Sequence, residues 1–89
     1  MKKEFIVTDP VGLHARPATL LVNEASKYAS DIKIIVNEKE ANLKSIMGVM
    51  SLGIGTNQTF IVEVADDSET EAIDGITKVI IDSQIGKEN

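Results

Sequence analysis

The sequence has no cysteine and no tryptophan, and only one of its 89 residues is a histidine, His14. The absence of cysteine excludes a disulfide framework, a thiolate zinc site and a thiol nucleophile. A single histidine excludes a multi-histidine metal site within one chain. We therefore expect neither a metal nor a cofactor, and His14 becomes the first residue to explain.

Positive charge is also scarce, because nine Lys and Arg residues stand against fourteen Asp and Glu residues and leave a net charge of −5. General nucleic-acid binding needs a basic face that neutralises phosphates, so direct binding to nucleic acid is not expected. The apolar run near the start, Phe5 to Val7, is too short for a signal-peptide core or a membrane span. These features predict a cytoplasmic protein without membrane insertion.

Periodicity predicts four strands and three helices in the order β-α-β-β-α-β-α. Apolar and polar residues alternate along the strand segments, whereas the helical segments repeat their apolar residues at three- and four-residue spacing. The predicted strands cover residues 3–8, 32–37, 40–43 and 58–65. The first predicted helix begins at residues 14–16, and its apolar stripe reaches Ala29. The second begins at Ser45 and ends before Gly53. The third begins at a capping box, Ser68–Glu71.

Each predicted strand has one apolar face and one more polar face, so its sheet needs helices on one side only. We therefore predict a single α+β domain of two layers over residues 1–89. The residues from Gly86 to Asn89 are expected to fray.

His14 lies where the predicted loop meets the first helix, a place where a histidine commonly serves as a turn or capping residue. Three neighbouring features favour a chemical role. Gly12 permits close approach of the backbone to another group, the helix N-terminus attracts anions, and Arg16 can bind phosphate oxygens through two parallel hydrogen bonds. A neutral imidazole is nucleophilic near neutral pH, and these features suit a histidine that carries a phosphoryl group. Taken alone, Arg16 would be an ordinary solvated cation.

Two segments resemble the signatures of one family. Gly12–Thr19 (GLHARPAT) resembles the phosphorylation site of HPr, the histidine-containing phosphocarrier of the bacterial sugar phosphotransferase system. Asn42–Gly53 (NLKSIMGVMSLG) resembles the segment around that family's regulatory serine. Two motifs of this length at the family spacing are far more specific than a short glycine pattern. Asn37–Glu40 differs from the Asn-Gly turn common in relatives, which leaves the turn type of that hairpin open.

The resemblance implies an open-faced β-sandwich in which three helices cover one side of a four-stranded antiparallel sheet. It also implies that enzyme I transfers a phosphoryl group from phosphoenolpyruvate to His14, at Nδ1, with Arg16 stabilising the phosphate. The group would then pass to IIA domains of sugar permeases. The chain would act as a phosphocarrier rather than an enzyme, and we expect a monomer.

Ser45 has a purely structural explanation as the N-cap of a short helix. The resemblance implies a second role, as the target of the ATP-dependent HPr kinase/phosphorylase. That modification would link the chain to a catabolite-control transcription regulator and to carbon catabolite repression. Added negative charge at a helix N-terminus is favourable, so phosphorylation of Ser45 should change the choice of partner without unfolding the domain.

Methionines usually fill cores, but Met47 and Met50 lie beside a stripe, Ile46, Val49 and Leu52, that can supply all or part of the inner face of the helix. Leu20 likewise lies off the apolar stripe of the first helix. Adaptable thioethers suit a surface that must fit several partners. The predicted partner-binding residues are Ala15, Thr19, Leu20, Asn23, Lys27, Ile46, Met47 and Met50.

Three alternatives remain at the level of sequence. The chain could be a purely regulatory module controlled at Ser45, as in a paralogue of the family that has lost the histidine. It could be a small hydrolase or phosphatase with His14 as nucleophile, although Asp9 is the only nearby carboxylate that could act as an acid. It could also serve a nitrogen-regulatory branch of the same phosphotransfer system.

Overall fold

The alternating segments form one antiparallel sheet of five strands in the computed structural model, which describes residues 1–89. The central strand pairs with both of its neighbours, so the sheet is continuous from edge to edge. The strands are β1 (Lys2–Val7), β2 (Ile32–Val36), β3 (Lys39–Asn42), β4 (Thr59–Val64) and β5 (Gly86–Glu88), in the order β3-β2-β4-β1-β5 across the sheet.

Three helices, α1 (Ala15–Ala25), α2 (Ile46–Ser51) and α3 (Thr70–Asp82), cover one face of this sheet. The buried strand residues are alternate ones, which is why a period of two produces a one-sided core. Phe5 and Phe60 lie opposite each other on β1 and β4, and their rings stack with centroids 5.5 Å apart. The predicted open-faced α+β architecture is therefore confirmed. All three helices are too short or too polar to cross a lipid bilayer.

The expectation that the last residues fray is wrong, since Gly86–Glu88 forms β5 and adds a fifth strand beside β1. Ile85, the residue before it, is 1% exposed and anchors the segment in the core. A Cβ at Gly86 would overlap the carbonyl oxygen of Ile6, so glycine permits the close approach of the two strands. Three residues are too few to show an alternating pattern, so the sequence does not predict this strand.

The predicted capping box at Ser68–Glu71 is also wrong. Helix α3 begins at Thr70, and its N-cap, Glu69, makes no capping hydrogen bond through its side chain. Ser68 instead donates both its N–H and its hydroxyl to Oδ1 of Asp66, at 2.9 and 2.7 Å. The aspartate-centred turn competes for the serine that the capping box required.

Two other local details differ from expectation or resolve an open point. Helix α1 ends at Ala25, so Ala29 lies in the following turn and is exposed instead of extending the core stripe. The β2–β3 hairpin closes through Asn37 and Glu38, and of these only Asn37 has a positive φ, 54°. Asparagine tolerates this conformation better than most residues, so the hairpin needs no glycine.

We predict that Gly86→Ala lowers the free energy of unfolding by about 2 kcal/mol, because the added methyl group must displace the Ile6 carbonyl. Urea denaturation measures the change. Gly55→Ala is the matched control, since a Cβ there meets only Oε1 of Gln58 at 3.5 Å. Equal stability of both variants would mean that the C-terminal segment does not pair with β1.

Candidate functional site

His14 is the N-cap of α1, with φ −82° and ψ −169°, as the sequence predicts. Its carbonyl oxygen accepts a hydrogen bond from the N–H of Ala18 at 3.0 Å, but its side chain caps nothing. The ring is 31% exposed and makes no hydrogen bond within the chain. The backbone of His14 therefore has a structural role, while the imidazole is left for chemistry.

The loop before His14 is held against a second loop that sequence reasoning did not single out. Gly12 has a φ of +84°, and a Cβ there would lie 2.9 Å from the carbonyl oxygen of Ile54. The N–H of Leu13 donates to that same oxygen at 2.9 Å, and the side chains of Leu13 and Ile54 are both buried. Gly12 is thus required by backbone conformation and by close packing, two constraints that an L side chain would violate.

The first turn of α1 leaves two backbone donors without a partner in the chain. The N–H groups of Ala15 and Arg16 precede the first intrahelical hydrogen bond, and Pro17 has no N–H to satisfy. Arg16 is exposed and forms no ion pair. The helix N-terminus therefore offers unpaired N–H donors next to His14, and Arg16 adds a positive charge two residues later, the features that a phosphate group requires.

Asp9 lies earlier in the same loop, and Oδ2 of its carboxylate lies 3.5 Å from Nε2 of His14. Its other oxygen, Oδ1, accepts the N–H of Val11 at 2.9 Å. The sequence indicates a turn at Asp9, before Pro-Val-Gly, and marks it as the only nearby carboxylate that could act as an acid, but it does not show that the carboxylate contacts the ring. Only the folded loop brings the carboxylate to the ring.

Ser45 is the N-cap of α2, as predicted, and its Oγ accepts the N–H of Gly48 at 3.0 Å. The serine is half-buried, so part of the residue is accessible to solvent while its hydroxyl caps the helix.

The predicted exposed apolar residues do remain at the surface. Met47 is 84% exposed, and Leu20, Met50 and Ile46 are 39%, 40% and 41% exposed. Ile46 does not join Val49 and Leu52 in the core, so the inner face of α2 is narrower than its sequence stripe suggests. Helices α1 and α2 pack against each other. Leu20, Ile46, Met47 and Met50 are called the apolar patch below.

The remaining predicted partner-binding residues, on α1 and in the turn after it, are only partly free. Ala15 and Asn23 are exposed, whereas the hydroxyl of Thr19 donates to the carbonyl of Ala15 at 2.7 Å. Nζ of Lys27 pairs with Oε1 of Glu24 at 2.9 Å.

The partner of Lys27 is itself part of a small network. Oε2 of Glu24 accepts the Tyr28 hydroxyl at 2.7 Å, and this bond, with Lys27 adding to it, holds the pKa of Glu24 below its usual value. The same carboxylate raises the pKa of Tyr28 to about 12. Nζ of Lys44 donates to the carbonyl of Tyr28 at 2.7 Å. Lys27 and Lys44 therefore each have a partner, whereas Arg16 has none.

His14 lies on the surface and not in a cavity. The one pocket of the chain has a volume of about 420 Å³ and lies between β2 and β3, lined by residues from Asp31 to Lys33 and from Glu40 to Asn42. No group of three or more His, Asp or Glu side chains is arranged to hold a metal ion.

Comparison with known proteins gives consistent matches over nearly the whole chain. A family model described as the PTS HPr component phosphorylation site matches residues 1–82. The phosphocarrier protein HPr of Mycoplasma capricolum is 48% identical over 84 residues, 94% of each chain.

Solved structures agree with this result. A histidine-containing phosphocarrier protein from Mycoplasma superposes with a TM-score of 0.92 at 45% identity, covering 97% of this chain and 98% of that one. An HPr dimer from Thermoanaerobacter tengcongensis gives a TM-score of 0.69 at 44% identity, covering 85% and 86%. Since the family model and the relatives all span most of the sequence, the chain belongs to the HPr family, the phosphocarrier proteins of the phosphotransferase system.

Proposed function

We propose that His14 accepts a phosphoryl group from phosphorylated enzyme I, the group originating in phosphoenolpyruvate, and passes it to IIA domains of sugar permeases. The observation that carries this proposal is the partly exposed imidazole of His14, which makes no hydrogen bond within the chain, at the N-terminus of α1, where Arg16 two residues later is unpaired. The ring is accessible for attack, and its surroundings favour the anionic product.

In the transfer, Nδ1 of His14 attacks the phosphorus atom of the phosphoryl group on enzyme I. The bond between phosphorus and enzyme I breaks, and its electron pair stays with enzyme I. The phosphoryl oxygens then face the N–H groups of Ala15 and Arg16 and the Arg16 guanidinium. Hydrogen bonds to an ionised acceptor are stronger than neutral ones. This arrangement holds the group without enclosing it, so a second protein can remove it.

The surface position of His14 supports a carrier rather than an enzyme. A small phosphoester has no cavity beside the ring, because the single pocket of the chain lies between β2 and β3. Enzyme I and the IIA domains would each supply the remainder of a reaction site. We propose that the carrier is a cytoplasmic monomer, which leaves His14 open to each partner in turn.

Ser45 is proposed as a second, regulatory site, phosphorylated by the ATP-dependent HPr kinase/phosphorylase and recognised by a catabolite-control transcription regulator. Its half-buried hydroxyl caps α2, next to the exposed side chains of Ile46 and Met47. A dianion there would change the charge of the surface on which partners dock and would repel an acidic partner surface.

The apolar patch is proposed as the common docking surface for these partners, with Ala15, Thr19, Asn23 and Lys27 along its α1 side. Met47 supports this role most directly, because a methionine that is 84% exposed contributes little to the core. Transient partners need only a small contact area, and a flexible thioether can fit more than one of them.

The first prediction concerns the phosphate site. In a mixture of phosphoenolpyruvate, enzyme I and Mg²⁺, the chain should gain one acid-labile phosphate by intact mass, and His14→Ala should gain none. Arg16→Ala should be phosphorylated about tenfold more slowly, since it loses a charge-assisted contact to the phosphate. Lys39→Ala removes the same charge from β3 at the far edge of the sheet and should leave the rate unchanged. Phosphorylation of His14→Ala at the normal rate would disprove the proposal.

The second prediction concerns Ser45. Ser45→Ala should lower the free energy of unfolding by about 1 kcal/mol, because the N–H of Gly48 loses its partner. Ser45→Asp should keep a thermal midpoint within a few degrees of the wild type, as should a phosphoserine sample, yet accept phosphate from enzyme I several times more slowly.

Asn37→Asp is the control for charge in this comparison, because it adds the same negative charge at the β2–β3 hairpin instead of at the start of α2. A Ser45→Asp rate equal to that of Asn37→Asp would contradict the regulatory proposal. A fall of many degrees in the midpoint of the phosphoserine sample would show that the modification acts by unfolding the domain.

The third prediction concerns the apolar patch. Met47→Ser should weaken binding to enzyme I or a IIA domain about tenfold by calorimetry, because it removes an apolar side chain that binding would bury. Its stability should not change, given the exposure of Met47. Ile81→Ser, an apolar residue on α3 that is 46% exposed, should bind normally. Equal weakening by both variants would argue against a localised docking surface.

A further inference from the structure

We propose that Asp9 is a positioning residue that keeps the proton of His14 on Nε2, so that Nδ1 presents its lone pair to the phosphoryl donor. The inference rests on the proposed function of His14 and adds a residue that the phosphocarrier motif Gly12–Thr19 does not contain. It depends on how the loop holds the two oxygens of one carboxylate in different places.

The carboxylate of Asp9 is held firmly. Its Oδ1 accepts the N–H of Val11 at 2.9 Å, and its backbone carbonyl accepts the N–H of Gly12 at 3.0 Å and the hydroxyl of Thr56 at 2.6 Å. The side chain is 19% exposed. With the backbone and one oxygen held, the direction of the remaining oxygen is determined.

That remaining oxygen, Oδ2, lies 3.5 Å from Nε2 of His14. An ionised carboxylate only accepts hydrogen bonds, so the ring nitrogen that faces it is favoured as the protonated one. The tautomer of a neutral imidazole follows from the partner of each nitrogen, as it does where an aspartate orients a catalytic histidine. The turn uses only Oδ1 as an acceptor, which leaves Oδ2 free to face the ring.

With the proton on Nε2, the transfer step needs no change in the protonation of the ring. The Nδ1 lone pair forms the new bond to phosphorus, the bond from phosphorus to enzyme I breaks, and its electron pair stays with enzyme I. No proton has to leave the ring, because Nε2 already carries it. The ring gains positive charge as the bond forms, and the Asp9 carboxylate lies beside the nitrogen that shares this charge.

Two substitutions separate positioning from a structural role. In Asp9→Asn the N–H of Val11 keeps the amide oxygen as its acceptor, so the turn survives and the NH₂ group faces Nε2. That group donates, and it therefore favours the opposite tautomer, with the proton on Nδ1. Asp9→Ala leaves neither an acceptor nor a donor facing Nε2, and it also removes the acceptor of the Val11 N–H. A purely structural role predicts that alanine is the worse substitution, whereas a positioning role predicts that asparagine is.

The experiment combines long-range ¹H–¹⁵N spectra of the neutral His14 ring with rates of phosphorylation by enzyme I. Wild type should hold the proton on Nε2, and Asp9→Asn should shift it towards Nδ1. We expect rates about fivefold lower in Asp9→Ala and about tenfold lower in Asp9→Asn, magnitudes that suit a partly exposed contact acting through the tautomer. Glu38→Gln, which removes a negative charge from the β2–β3 hairpin, should match the wild type in both measurements.

An unchanged tautomer in Asp9→Asn, or a rate for Asp9→Asn above that of Asp9→Ala, would overturn the inference. Failure of the wild type to take phosphate on His14 would instead overturn the proposed function, and the tautomer spectra would still test the contact with Asp9. Thermal midpoints of all three variants show whether the loop remains folded.

Discussion

The contact between the loop before His14 and the carbonyl of Ile54 is the constraint on which the site depends. That oxygen accepts the N–H of Leu13 at 2.9 Å and lies where a side chain on Gly12 would have to go. Because both loops are anchored by buried residues, the start of α1 is held relative to the sheet. The imidazole can therefore be exposed without being disordered, which a reactive group handled by several proteins requires.

The domain separates its structural and chemical tasks within single residues. His14 caps α1 with its backbone and keeps its ring free, while Asp9 closes a turn with one oxygen and directs the other towards that ring. Ser45 caps α2 with the hydroxyl that is proposed to be modified. In a chain of 89 residues with one small core, few positions can be given to chemistry alone.

Much of the fold could be predicted, because the strong signals are local. Alternation located β1, β2 and β4, and a proline that is tolerated only in a first turn placed the start of α1 correctly. Predictions failed where the local structure depends on a contact with another residue or segment of the chain. The segment Gly86–Glu88 forms a strand only because Ile85 is buried and β1 lies alongside. Ser68 does not form the predicted capping box because its hydroxyl donates a hydrogen bond to the Asp66 carboxylate.

The sequence by itself determined the chemistry of this protein: one histidine, an arginine two residues later, a glycine before them and a helix start between. These residues are adjacent in the chain, so local backbone geometry is enough to bring them together. Only the tertiary structure decided that Lys44 is occupied by the Tyr28 carbonyl, that Ile46 is exposed, and that the loop of Ile54 and Thr56 holds Gly12 and Asp9 in place. Those facts arise from contacts between distant segments, whose distances no local pattern records.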